Sequence, residues 1–284
     1  MSTPYSVNAR PAAKGISWPV RLLTLALLFG GLAGGIGNLA LVPPGFWVWD
    51  MPALAYRFLA AAAFSYVAGS LLTLTRSRWV ESELLLATVN FYGWPLLLAI
   101  LLQTDQLDWS KFMSWAFVAV VAPALAISVP YLWFNRRRVR REARFPLDPS
   151  LRIYLVVVGL AAMLVGLFVY IVPRQAGFIW PWAELAAWKL LDSRLIASML
   201  LTMGAAAFLV AWRNDRGAAQ LYLVMLGAYC IFAGTGVVLH ALVTPAFVFQ
   251  DLVYMVIFGV IFLVGLILFP RSPVSAAVAP HYIR

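Results

Sequence analysis

Two stretches of this chain decide its fold: RFLAAAAFSYVAGSLLTLTR over residues 57–76 and RLIASMLLTMGAAAFLVAWR over residues 194–213. Each runs from one arginine to another with no charge between, and about 20 such residues suffice for a helix to cross a bilayer. The two lie 137 residues apart, and the same shift continues without a gap to the last apolar run. It pairs Ala60 with Ala197, Leu72 with Leu209, Leu84 with Leu221, Leu86 with Leu223, Tyr92 with Tyr229 and Phe112 with Phe249. Upstream, Phe46, Trp47 and Trp49 recur as Phe178, Trp180 and Trp182, with a few residues inserted after the second group. Self-similarity at a fixed offset marks an internal duplication.

The rest of the chain extends this pattern. Of 284 residues 63% are hydrophobic and 11% charged, and mean hydropathy is +0.88. Soluble domains run about 45–50% apolar and about 25% charged, so a soluble enzyme and a disordered chain are excluded. The single cysteine, Cys230, excludes an intrachain disulfide framework. Apolar runs lie near 20–42, 52–75, 83–103, 112–134, 152–172, 190–212, 217–242 and 248–269. They are continuous instead of alternating, which points to helices and not to a barrel. The first exceeds a signal-peptide core of about 7–15 residues and no small-x-small site follows it, so it reads as a retained span.

The expected fold is therefore an all-α polytopic membrane protein with eight transmembrane helices in two four-helix repeats. Four spans return the chain to its starting side, so the repeats are parallel and related by an axis along the membrane normal. The expected division is a cytoplasmic N-terminal segment (1–18), a first repeat (19–134), a basic cytoplasmic linker (135–151), a second repeat (152–270) and a cytoplasmic tail (271–284). Orientation follows from the basic residues. Only Arg57, Lys111, Arg174, Lys189 and Arg194, five of the 21 Lys and Arg, fall on the side opposite the N-terminus. The other sixteen put both termini in the cytoplasm by the positive-inside rule. That charge sits in loops, not on a nucleic-acid-binding face, so no nucleic-acid partner is expected. Trp-rich outer loops followed by an arginine-bearing span resemble bacterial membrane proteins, which implies a bacterial inner membrane and carries no activity with it.

Candidate residues are few. Arg57 and Arg194 lie inside their spans near the outer surface, where an ionisable group is costly and suggests an anion or lipid headgroup site. The plainer alternative is snorkelling, or an ion pair with Asp50, Glu184, Asp192 or Asp251. His240 is the only intramembrane histidine and a candidate ligand. One histidine cannot supply two axial ligands to a haem, and there is no metal-spaced cluster, so neither metal nor cofactor is expected. Small residues follow Arg57 at every fourth position, Ala61, Ser65 and Gly69, and their counterparts are Ser198, Thr202 and Ala206. Gly30, Gly31, Gly34 and Gly35 add two overlapping GxxxG pairs. Such stripes let helices approach closely, and they also suit a lined cavity. Pro95, Pro123 and Pro130 are expected to kink the third and fourth spans, where freed carbonyls suit a transport path, though spanning helices tolerate proline in plain packing too. The segment 180–189 suits a short helix lying on the outer surface.

No nucleotide loop, nucleophile elbow or metalloprotease motif occurs. The leading expectation is a non-enzymatic helical scaffold or accessory subunit of a membrane assembly. One alternative is a carrier for a lipid or small hydrophobic anion. Another is a pigment-binding or enzymatic subunit. Expected partners are membrane lipids, membrane-protein subunits or a second copy of the chain.

Overall fold

A computed structural model describes residues 16–40, 51–76, 78–141, 145–174, 190–243 and 249–270. Among these residues the chain is all helical, with no strand. The helices are α1 (Trp18–Leu39), α2 (Ala53–Arg76), α3 (Trp79–Leu102), α4 (Phe112–Arg141), α5 (Pro149–Ile171), α6 (Leu190–Arg213), α7 (Arg216–Val243) and α8 (Phe249–Ile267). Six of them, α1, α2, α3, α5, α6 and α7, are long and apolar enough to cross a membrane. The expected eight spans thus correspond to eight helices, of which α4 and α8 fall outside that set. The Trp-rich stretches and the expected surface helix at 180–189 lie outside the described residues.

Local chemistry sets the ends. Asp148 caps α5, its carboxylate accepting from the Ser150 N–H at 3.2 Å, and Pro149 fills the first helical position. Asn214 ends α6 in the left-handed region, φ 52°, which asparagine tolerates better than most residues. α4 departs from the expected boundary. The apolar run stops near residue 134, yet the helix continues through Arg141, because lysine- and arginine-type side chains are good helix formers outside the apolar zone. The Arg136 guanidinium stacks 4.0 Å over the Trp133 ring on that extension. The helices run through Pro95, Pro123 and Pro130.

Packing divides the helices into an inner and an outer set. α1 lies on α2 and α5 lies on α6; α3 carries α4 and α7 carries α8. The inner helices then meet crosswise, α2 against α7 and α3 against α6. Glycines permit the tightest approaches. A Cβ on Gly31 would sit 2.9 Å from Val67 and one on Gly35 2.9 Å from the Phe64 ring, both on α2. Gly30 and Gly34, the other GxxxG pair, face open space. A Cβ on Gly204 of α6 would sit 2.8 Å from the Gly159 carbonyl oxygen of α5. Charged residues are buried and large apolar ones exposed. Arg57, Glu81, Asp192, Asp215 and Asp251 are buried, while α5 presents Ile153, Val157, Leu164 and Ile171 outward. An apolar exterior with charge buried among the helices is the arrangement that a hydrocarbon solvent selects, and the chain is a multi-pass membrane protein.

Candidate functional site

Three layers of polar residues run along the inner helices. The first lies at the end where α2 turns into α3 and α6 into α7, here the turn end. Arg78 is the residue before α3 and Asp215 the residue before α7. Their side chains form a fork, Nη1 to Oδ1 at 3.5 Å and Nη2 to Oδ2 at 3.4 Å, across 137 residues of sequence. Asp215 has two further duties. Its Oδ1 accepts from the Ala218 N–H at 3.0 Å, which caps α7, and its Oδ2 accepts from the Phe145 N–H at 3.3 Å. Glu81 lies 3.7 Å from the Arg78 guanidinium.

Two more crossings flank this pair. Arg76 donates to Gln220 Oε1 at 2.7 Å, and Arg213 is paired with Glu83. Arg76 and Arg213 are 137 apart in sequence, and so are Glu83 and Gln220. The two crossings are therefore equivalents under the sequence shift, with the Arg78–Asp215 fork its own equivalent between them. The chain after α4 is tied to the same place: the Arg216 N–H donates to the Phe145 carbonyl at 2.7 Å, and Asn214 Oδ1 accepts from the Leu147 N–H at 3.1 Å. A side chain at Gly217 would collide with the Arg78 guanidinium.

The second layer is at mid-depth. A cavity of about 50 Å3 lies among α2, α3, α6 and α7. Ten of its lining residues form five pairs 137 apart: Ala62 with Met199, Ser65 with Thr202, Tyr66 with Met203, Thr88 with Met225, and Tyr92 with Tyr229. By helix rise it is about 15 Å along α2 from the fork. No charged residue lines it. Several hydroxyls are already engaged: Tyr66 donates to the Thr88 carbonyl at 3.0 Å, Thr202 to the Ser198 carbonyl at 2.7 Å and Tyr222 to the Met203 carbonyl at 3.2 Å. The Tyr92 and Tyr229 hydroxyls make no hydrogen bond among the described residues.

The third layer is the opposite end, here the loop end. Arg57 is 4% exposed, and its Nε and Nη1 have no hydrogen-bond partner among the described residues. α2 meets α7 closely here, since a Cβ on Gly236 would lie 2.8 Å from the Arg57 Cβ. His240, in the last turn of α7, is within electrostatic reach of both Arg57 and Asp251. Arg194 has a different setting. Its Nε donates to the Tyr170 carbonyl at 3.3 Å, and its guanidinium lies 5.8 Å from the Tyr170 ring. Tyr170 in turn donates to the Pro95 carbonyl at 2.6 Å, tying α5 to α3. Asp50 and Glu184, expected as arginine partners, lie outside the described residues.

The structure does not gather the expected residues into one site. Arg57 faces α7, Arg194 faces α5, and neither lines the central cavity. The small-residue stripe divides its labour. Ala61 and Ser198 are fully buried, and Gly69 abuts Met225, where a Cβ would meet the sulfur at 2.7 Å. Ser65, Thr202 and Ala206 line the cavity. Sequence reasoning missed the fork and the methionines. It counted Arg76, Arg78 and Arg213 as orientation signals. The usable signal was the shift itself, which sets Arg78 in register with Asp215, opposite charges at one repeated position. Among the described residues no three His, Cys, Asp or Glu side chains gather so as to hold a metal ion. No protein-family model, no curated protein and no solved structure matches this chain.

Proposed function

We propose that the chain is a duplicated four-helix unit that works as a two-fold membrane carrier for a small solute, held at the central cavity. The carrying observation is that this cavity is lined by five residue pairs at the repeat offset. Carriers built from parallel repeats bind their substrates near the bilayer midplane at the repeat interface, around an axis along the membrane normal. The helix starts support the repeat: α2 and α6, α3 and α7, α4 and α8 begin 137 residues apart. So do the crosswise contacts, since α2 on α7 and α6 on α3 exchange under the same shift. On this reading α4 and α8 also span, all eight helices cross, and both termini face the cytoplasm of a bacterial inner membrane. The turn-end fork is then the cytoplasmic gate. The cavity lining favours an uncharged or weakly hydrated solute over the hydrophobic anion that the two arginines suggested.

The test needs no knowledge of the solute. In a Cys230→Ser background, Ser65→Cys places one thiol on the cavity wall. A membrane-impermeant maleimide is applied to right-side-out and inverted vesicles, with the fork intact and with Asp215→Asn or Glu83→Gln. Labelling from the cytoplasmic face is expected to rise several-fold when the fork is weakened. Unchanged labelling in variants that still elute as monodisperse protein would mean that the halves stay locked. The scaffold reading would then stand instead, since the same ion pairs that gate a carrier also fasten a rigid subunit. Native mass spectrometry from the source membrane separates these: a stoichiometric protein partner favours the scaffold, and a lone monomer or dimer favours the carrier.

A further inference from the structure

Resting on the carrier reading of the central cavity, we infer that the solute is a soft monovalent cation, Cu(I), bound by the thioethers of Met199, Met203 and Met225. These three of the chain's eight methionines line one cavity. Met199 and Met203 are four residues apart on α6 and so share a face, and Met225 comes from α7. Thioether sulfur selects Cu(I) over hard or borderline divalent ions. The lining has no carboxylate for calcium or magnesium, and no imidazole or thiol for zinc. Size agrees. About 50 Å3 suits a bare ion with a few coordinating groups and falls well short of the ~150 Å3 apolar cavity that accepts benzene.

Methionine is also a common gap-filler, so the surroundings matter. Four tyrosines line the same space, Tyr66, Tyr92, Tyr222 and Tyr229. Ring faces attract cations, most strongly where water is excluded. The hydroxyls of Tyr92 and Tyr229 add oxygen lone pairs that no described residue occupies. The lining therefore offers thioether and aromatic side chains without a buried anion, which would trap a cation. Under the repeat shift the methionines correspond to Ala62, Tyr66 and Thr88. The thioethers come entirely from the second half, so they are not a relic of the duplication.

The purified full-length protein, in the Cys230→Ser and His240→Ala background, is titrated anaerobically with Cu(I) against a chromogenic Cu(I) chelator. One equivalent is expected to be retained, with Ag(I) competing and sulfur neighbours visible in the copper-edge X-ray absorption. Replacing the three methionines by leucine, which nearly conserves volume, is expected to weaken retention about 100-fold or more. Met163→Leu, on α5 beside Gly204, is the control and should leave it unchanged. Failure of the folded parent to retain Cu(I), or full retention by the triple leucine variant, would overturn the proposal. Either result leaves the Ser65→Cys accessibility test free to uphold the carrier alone. Retained Cu(I) with a cavity that never opens would uphold the metal site and remove the carrier.

Discussion

The two ends of the inner bundle start from equivalent arginines and use them in opposite ways. At the turn end Arg76, Arg78 and Arg213 each reach a carboxylate or amide on or just before α3 or α7. At the loop end Arg57 and Arg194, also 137 apart, have diverged. Arg57 is buried against α7 with two nitrogens lacking a partner among the described residues, and Arg194 turns outward to a carbonyl of α5. Burial of charge is tolerable only with complete compensation. The turn end pairs its charges instead, with arginine at position 78 and aspartate 137 residues later at position 215. The difference teaches where α2 and α3 are fastened to α6 and α7: at the turn end, in pairs.

The largest expected effect tests that fastening. Arg78→Met leaves Asp215 and Glu81 without their buried guanidinium and is expected to cost about 3–5 kcal/mol. Arg57→Met should cost less than about 1 kcal/mol, because its loss strands no carboxylate hydrogen-bonded to it among the described residues. Thermal unfolding of both in one detergent reads the contrast, and equal losses would break it. The double variant Arg78→Asp with Asp215→Arg sharpens it further. If the two positions are equivalent, the new aspartate caps α3 as Asp215 caps α7, and at least half of the single-variant loss returns. An additive loss would mean that the two N-caps are not interchangeable.

Smaller effects follow at the flanks. Glu83→Gln makes the Arg213 crossing resemble its Arg76–Gln220 equivalent. It should cost about 1 kcal/mol, the difference between an ion pair and a hydrogen bond from the same guanidinium to a neutral amide. Arg194→Leu should cost a similar amount, about 1 kcal/mol, for the bond to the Tyr170 carbonyl. A loss near that of Arg78→Met would place a fastening at the loop end too. The smallest effect lies outside the helices. The Ser110 hydroxyl and N–H, with Lys111 at 3.8 Å, hold the Asp108 carboxyl below the usual carboxylate range. A depressed carboxyl stabilises the fold above its unfolded pKa, and that contribution fades as pH falls through the folded value. Asp108→Asn should therefore flatten a shallow loss of melting temperature below about pH 4. An unchanged acid profile would show that this turn adds nothing to stability.

Much of the fold could be read from the residues, because hydrocarbon forces helices on any long apolar run. The run near 190–212 became α6 at Leu190–Arg213, and the run near 52–75 became α2 at Ala53–Arg76. α4 continues past the apolar run because hydropathy falls at Asn135 while helix propensity does not. The site was less legible. The small-residue spacing of Ser65 and Thr202 fits packing and a lined cavity equally, and both line the cavity. Arg57 and Arg194 share a register in the sequence, yet they face different helices. A charge at a helix end reads identically whether it faces water or a partner, so Arg78 and Asp215 gave no signal until their common register was considered.

The sequence by itself determined that this chain is helical, rich in segments that suit a membrane, and self-similar at an offset of 137 residues. Composition and periodicity are local properties, and the bilayer's demand for satisfied backbone converts them directly into helices. The tertiary structure alone decided which helix meets which. Crosswise packing of α2 on α7 and α3 on α6 brings the turn-end charges together and opens a cavity between tyrosines and methionines. Those contacts join residues more than a hundred positions apart. Among helices in an apolar medium, association is set by close fit and buried polar pairing, which no single helix encodes.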